Sequence, residues 1–303
     1  MKLTITATAP FDFDLSAKVF SDGDKQIRKY EGGYFWQVIR VGDKLILVSI
    51  KSLGNVDEPE LSVEFESVVK IPSRDKEDIR EIVSSLFNLN FELRPFYEGV
   101  KEDEVMSKLT QKLKGLKSPT TQTVFEALID SIIEQQISLI VAHSLENKVI
   151  KAFGETLKLG EEVYYAYPTP RALASATTGG LRKCGLSFKK AEYVKNISKL
   201  ILEGKLDLDK FKKYEDIGEI IKELDEIKGI GVWTAELTLV RGMQKLEAIP
   251  ADGLGLRRCI SHYYFNDRKI SAEEARRTTE GWGKWKGLAS FYLIMAERLG
   301  IRI

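Results

Sequence analysis

The sequence predicts an α+β chain: a small antiparallel-sheet domain over residues 1–95, then an all-helical region over residues 96–303. Three observations carry the prediction. Alternating, β-rich runs separated by turn residues fill the first part. Apolar residues at helical spacing dominate from about residue 100. And 303 residues suffice for two domains, each with its own core.

Taken in order, LTITAT alternates, YFWQVIRV and KLILVSIK are β-rich, and LSVEFESVV alternates again, with SDGD, EGG, VGD and GNVDEP as the intervening turns. A helix is expected after Ser73, where RDKEDIREIVSSLF puts Ile79, Ile82, Val83 and Leu86 on one face. Further on, TQTVFEALIDSIIEQQ and LIVAHSLENKVIKAF read as helices, and Ser187 is placed to cap FKKAEYVKNISKLILEG. Asp216 and Glu219 resemble a capping box opening IGEIIKELDEI, whose Ile217, Ile220, Ile221, Leu224 and Ile227 form an apolar stripe. VWTAELTLVRG and LASFYLIMAERLG supply two more helices.

The totals exclude several classes. No run approaches the ~18 consecutive apolar residues of a membrane span, so no membrane partner is expected. The N-terminus lacks a signal-peptide pattern. Cys184 and Cys259, the two cysteines, have no metal-ligand spacing. These features predict an intracellular, reduced setting, cytoplasmic if the source is prokaryotic, and a monomer is expected. Lys and Arg number 46 against 45 Asp and Glu, but residues 1–95 carry a net −3 and the remainder +4, so the helical region is the better place for any anion that binds.

KGIGVWTAEL joins two helices, near residues 216–243, through a turn with two glycines. Gly229 and Gly231 permit a close backbone approach, and the next helix starts at once, with unpaired N–H groups and its positive dipole end at the turn. Such a turn holds a phosphate without side-chain charge. A glycine C-cap between antiparallel helices accounts equally well for GxG alone. Asp252 follows 21 positions after Gly231 in AIPADGLGLRR. By itself Asp-Gly reads as a turn with the aspartate capping the next helix.

Together, LDEIKGIGVWTAEL and the Pro-x-Asp segment resemble the helix-hairpin-helix–Gly/Pro/Asp DNA glycosylase superfamily. FEALIDSIIEQQISLIVA, KCGLSFKKAEYVKNIS and GWGKWKGLASFYLI resemble its other signatures, and LFNLNFELRPFYE its opening segment. The AlkA-like 3-methyladenine branch is the nearest in pattern. The resemblance implies a TATA-binding-protein-like fold for residues 1–95, duplex DNA with a damaged base as partner, and Asp252 as the catalytic carboxylate, suited to a sugar that becomes cationic as its N-glycosidic bond breaks. Members that also cut the strand place a lysine where this chain has Trp233, which implies a monofunctional, water-attacking enzyme.

The remaining roles follow from the same resemblance. Trp233 and Tyr292 are expected to line the base pocket, where an aromatic face favours a cationic alkylated purine. Gln136 is expected to fill the gap left by the flipped base, while Gln135 stays structural. Gly229, Ile230, Gly231, Thr234 and Arg257 are assigned to the DNA backbone. No cofactor is expected beyond a sodium or potassium ion at the carbonyls of Ile227 and Gly229. Several positions depart from the bacterial pattern: Gly253 follows the aspartate where an aromatic is usual, and Leu237 and Ile294 replace pocket aromatics. The readings left open are a glycosylase for deaminated or oxidised purines, or a non-catalytic DNA-binding protein.

Overall fold

A computed structural model describes residues 1–303. Strands β1 (Lys2–Thr6), β2 (Arg28–Glu31), β3 (Tyr34–Val41), β4 (Lys44–Ser52) and β5 (Glu60–Glu66) form one antiparallel sheet in the order β1-β5-β4-β3-β2. Alternation puts Phe35, Ile39 and Val41 on one face, where they share a core with α1 (Phe13–Ala17) and α2 (Asp75–Leu86). Within α2, Ile79, Val83 and Leu86 are buried, while Ile82 only flanks the core.

The helical region holds two cores rather than one. The first gathers α5 (Val124–Glu134), α6 (Leu139–Phe153), α7 (Pro170–Ser175), α8 (Thr178–Lys183), α9 (Phe188–Leu202), α10 (Ile217–Asp225) and α11 (Val232–Met243). The second is built by α3 (Arg94–Gly99), α4 (Glu104–Lys112), α12 (Leu254–Phe265), α13 (Ala272–Thr278) and α14 (Lys286–Arg298). The chain leaves the second core after Leu116, enters the first at Val124, and returns at one peptide: Ala248 belongs to the first core and Ile249 to the second. Four residues later stands Gly253, the N-cap of α12.

The helical region also contains a two-stranded hairpin, β6 (Thr156–Leu159) and β7 (Glu162–Tyr165), which the helical reading passed over. Its strands are too short for a period to show. It covers the second face of the large sheet, where Leu157 and Ala166 pack on Val38. Asp216 does cap α10, but its carboxylate accepts from the Gly218 N–H at 2.7 Å. The reciprocal capping box occurs elsewhere, between Ser271 and Glu274 at the start of α13. No helix is long and apolar enough to cross a membrane.

Candidate active site

Helices α10 and α11 form a hairpin whose turn is Glu226–Gly231. Gly229 has φ +103° and lies against the ring of Tyr193, which a Cβ there would meet at 2.3 Å, so only glycine fits. Ile230 donates its N–H to the Ile227 carbonyl at 2.9 Å and buries its side chain in the first core. It is therefore a turn anchor, contrary to the expected backbone contact. The first α11 N–H with a partner is Ala235, which donates to Gly231. The N–H groups of Gly229, Gly231, Val232, Trp233 and Thr234 find no acceptor within the chain, the arrangement a helix N-terminus offers an anion. Thr234 contributes only this N–H, because its side chain is 2% exposed and its hydroxyl accepts from Gln135 at 2.9 Å.

Gln135 ties α5 to the hairpin. Its amide donates to the Gly229 carbonyl and to the Thr234 hydroxyl, both at 2.9 Å. The carbonyls of Ile227 and Gly229, expected to face a cation, thus each accept one hydrogen bond already and keep one lone pair free. Gln136 next to it is exposed, with φ +59°, a left-handed conformation costing a side chain about 1–2 kcal/mol. Lys190 holds that turn, its ammonium donating to the carbonyls of Ile133 (2.8 Å) and Gln135 (2.7 Å), and burial pulls its pKa down. An ion pair between Glu134 and Arg241 binds the end of α5 to α11.

Asp252 stands on the loop after the crossing between the two cores, with its side chain 52% exposed. It does not cap α12. Gly253 occupies the N-cap, with no side-chain cap, and the Asp252 carboxylate accepts from Arg276 Nη2 at 2.8 Å. The same guanidinium donates to both oxygens of Glu236, at 2.7 and 3.0 Å, and to the Ile249 carbonyl at 3.2 Å. Arg276 on α13 thereby joins α11 of the first core to both ends of the Ile249–Asp252 loop. Arg257 is half-buried, with Nη2 3.5 Å from the Asp252 carbonyl.

Trp233 is partly exposed beside this loop. Its indole nitrogen lies 2.9 Å from where a Gly253 Cβ would be. The glycine that departs from the aromatic pattern is thus the one residue that lets this indole lie against the loop. Tyr292, expected in the pocket, is not there. It is 0% exposed, donates its hydroxyl to the Leu116 carbonyl at 2.8 Å, and packs edge-on against Phe96 with ring centroids 5.0 Å apart. The turn of α14 sends it into the second core, while Phe291 and Ile294 are half-buried on that core's margin. Leu237 likewise is buried, at 8%.

Sequence reasoning missed Glu236 and Arg276. Glu236 carried a readable sign, a lone acid within the apolar run TAELTL that burial obliges to find a partner. Arg276, one of 46 basic residues, carried none.

Residues 129–284 match the family described as HhH-GPD superfamily base excision DNA repair protein, about half the chain. The chain belongs to this family. It is a DNA glycosylase of base excision repair. Residues 25–128 match the N-terminal domain of 8-oxoguanine DNA glycosylase. Across 95% of both chains it is 29% identical to DNA-3-methyladenine glycosylase of Bacillus subtilis. It is 27% identical, over 74% of this chain and 76% of the other, to a probable N-glycosylase/DNA lyase of Methanothermobacter thermautotrophicus. A solved 3-methyladenine DNA-glycosylase from Archaeoglobus fulgidus superposes with TM-score 0.86 at 29% identity, covering 99% of this chain and 100% of that one.

Proposed function

We propose that this glycosylase releases alkylated purines, of the 3-methyladenine and 7-methylguanine type, from duplex DNA by a monofunctional mechanism that leaves an abasic site. The observation that carries the reading is the indole of Trp233 against the Asp252–Gly253 loop. The hairpin helix presents there an aromatic ring, suited to a base made cationic by alkylation, and no amine to attack the sugar. The relatives named as 3-methyladenine glycosylases support the same substrate class.

In this mechanism the unpaired N–H groups of the hairpin bind a phosphate, assisted by Arg257, and hold the duplex in register. Gln136, exposed on its strained turn, enters the stack as the damaged base leaves it. Asp252 then stabilises the cationic sugar and orients the attacking water. An alkali ion, if held, would use the free lone pairs of the Ile227 and Gly229 carbonyls and leave the Gln135 contact in place. The protein acts as a monomer on this reading.

The match to an 8-oxoguanine glycosylase domain and the lyase relative favour a second reading, a bifunctional enzyme for oxidised purines. One experiment separates them. Purified protein is incubated with methylated and with 8-oxoguanine-containing duplexes, and released bases are chromatographed before any alkali treatment. Free methylpurine with unbroken strands is expected, and Asp252→Asn should abolish release while keeping DNA affinity. Release of 8-oxoguanine with strand cleavage would replace the reading, and DNA binding with no released base would leave a binding protein.

A further inference from the structure

Arg276 is an unexpected neighbour for a carboxylate that must stabilise a cation. At 2.8 Å from Asp252, its charge alone would cancel much of the field reaching the sugar. Glu236 changes that balance. It is 6% exposed and takes both arms of the fork, sharing Nη2 with Asp252. With the Ile249 carbonyl and Asp252, four donated hydrogen bonds fix Arg276.

We propose that Glu236 acts through Arg276 as a charge-balancing and positioning residue for Asp252, so that the three groups carry a net charge of −1 and the clamp fixes the carboxylate without quenching it. The proposal rests on Asp252 being the catalytic carboxylate. The Asp252 carboxylate, on an exposed loop between two cores, has little else to hold it, and Arg276 is the one side chain that bonds to it. An arginine without its own counter-ion would keep its bonds to the loop, less firmly held, and would neutralise the carboxylate. Glu236 therefore supplies what geometry alone does not require.

A pH signature follows from the same arrangement. Burial pushes the Glu236 pKa up and the nearby Asp252 charge adds to this, against the opposing pull of Arg276. As pH falls, Glu236 takes up its proton before an ordinary glutamate would, and the trio passes from −1 to neutral.

The test is single-turnover base release from methylated duplex, followed against pH. The wild-type rate should show an acid limb with its midpoint above the ordinary glutamate value of about 4.3. Glu236→Gln should slow release near neutral pH by about tenfold or more, equivalent to ~1.4 kcal/mol of barrier, and lose that limb. The double variant Glu236→Gln/Arg276→Gln restores a net −1 and should recover rate relative to Glu236→Gln. A purely structural clamp predicts the opposite, with the double variant no faster than the single. Thermal melting and abasic-duplex affinity control for folding. Should the single variant fail to fold, the wild-type limb decides, and a midpoint at or below 4.3 overturns the proposal. A Glu236→Gln enzyme as fast as wild type, beside an inactive Asp252→Asn, would sink the charge-balance idea and spare the catalytic assignment. Full activity in Asp252→Asn would remove both.

Discussion

Replacing Lys117 with methionine should change how stability depends on pH more than how stable the protein is at neutrality. Lys117 is 1% exposed and forms no ion pair, the more distant Glu92 carboxylate only partly offsetting the cost of its burial. Its ammonium donates to the carbonyls of Thr8 (2.8 Å) and Leu89 (2.9 Å) and lies 5.2 Å over the Phe11 ring, stitching the segment before α5 to the sheet domain. Burial lowers its pKa from 10.5 to about 8. Below pH 8 the lysine is charged in both folded and unfolded chains, and the native state bears the full cost of burying that charge. Between about pH 8 and 10.5 the folded chain loses the proton while the unfolded chain keeps it, so wild-type stability rises. The shift corresponds to at most ~3 kcal/mol at about 1.4 kcal/mol per unit. At neutral pH the methionine variant is relieved of that cost but loses two hydrogen bonds, each worth roughly 1 kcal/mol, so the difference from wild type is small there. Urea unfolding of both proteins at intervals from pH 7 to 10.5 reads the effect directly, because all other titrations cancel in the difference. Wild type should gain on Lys117→Met by roughly 2–3 kcal/mol across the window. Parallel curves would refute the reasoning.

Gln135→Ala removes the two hydrogen bonds that hold the hairpin to α5. It should cost about 1–3 kcal/mol in unfolding experiments and weaken abasic-duplex binding, and an unaltered melting curve would show the hairpin to be held otherwise. Glu126→Gln tests a shift of the opposite sign, since burial raises the Glu126 carboxyl to about 7. The native state then holds a proton that the unfolded chain has released, so wild-type stability falls as pH rises from about 4.5 to 7, by up to ~3 kcal/mol. Urea titrations should find the glutamine variant gaining on wild type across that window and level above it.

Much of the site was legible because it is local. The KGIG turn, its glycines and the helix that follows fall within a dozen residues, where the two glycines mark the turn and the VWTAEL run marks the helix. Ser187 was legible for the same reason, since its cap bond reaches only three residues, to Lys190 at 3.2 Å. Tyr292 was misplaced because its role depends on how α14 is rotated against α3, a long-range fact that a one-face apolar pattern does not encode. Asp-Gly by itself reads as a cap for the next helix, the nearest partner in sequence, but the Asp252 side chain reaches Arg276, 24 residues away.

The sequence by itself determined the sheet-then-helix order, the hairpin and the candidate carboxylate, because periodicity, turn chemistry and short motifs act over a few residues. Only the tertiary structure decided what surrounds that carboxylate. It divided the helices into two cores, brought Glu236 and Arg276 together across 40 residues, and set the Trp233 indole in the space that Gly253 leaves open. The physical reason is that hydrogen bonds, charge balance and steric room depend on distances in space, and distant segments acquire those distances only when helices pack.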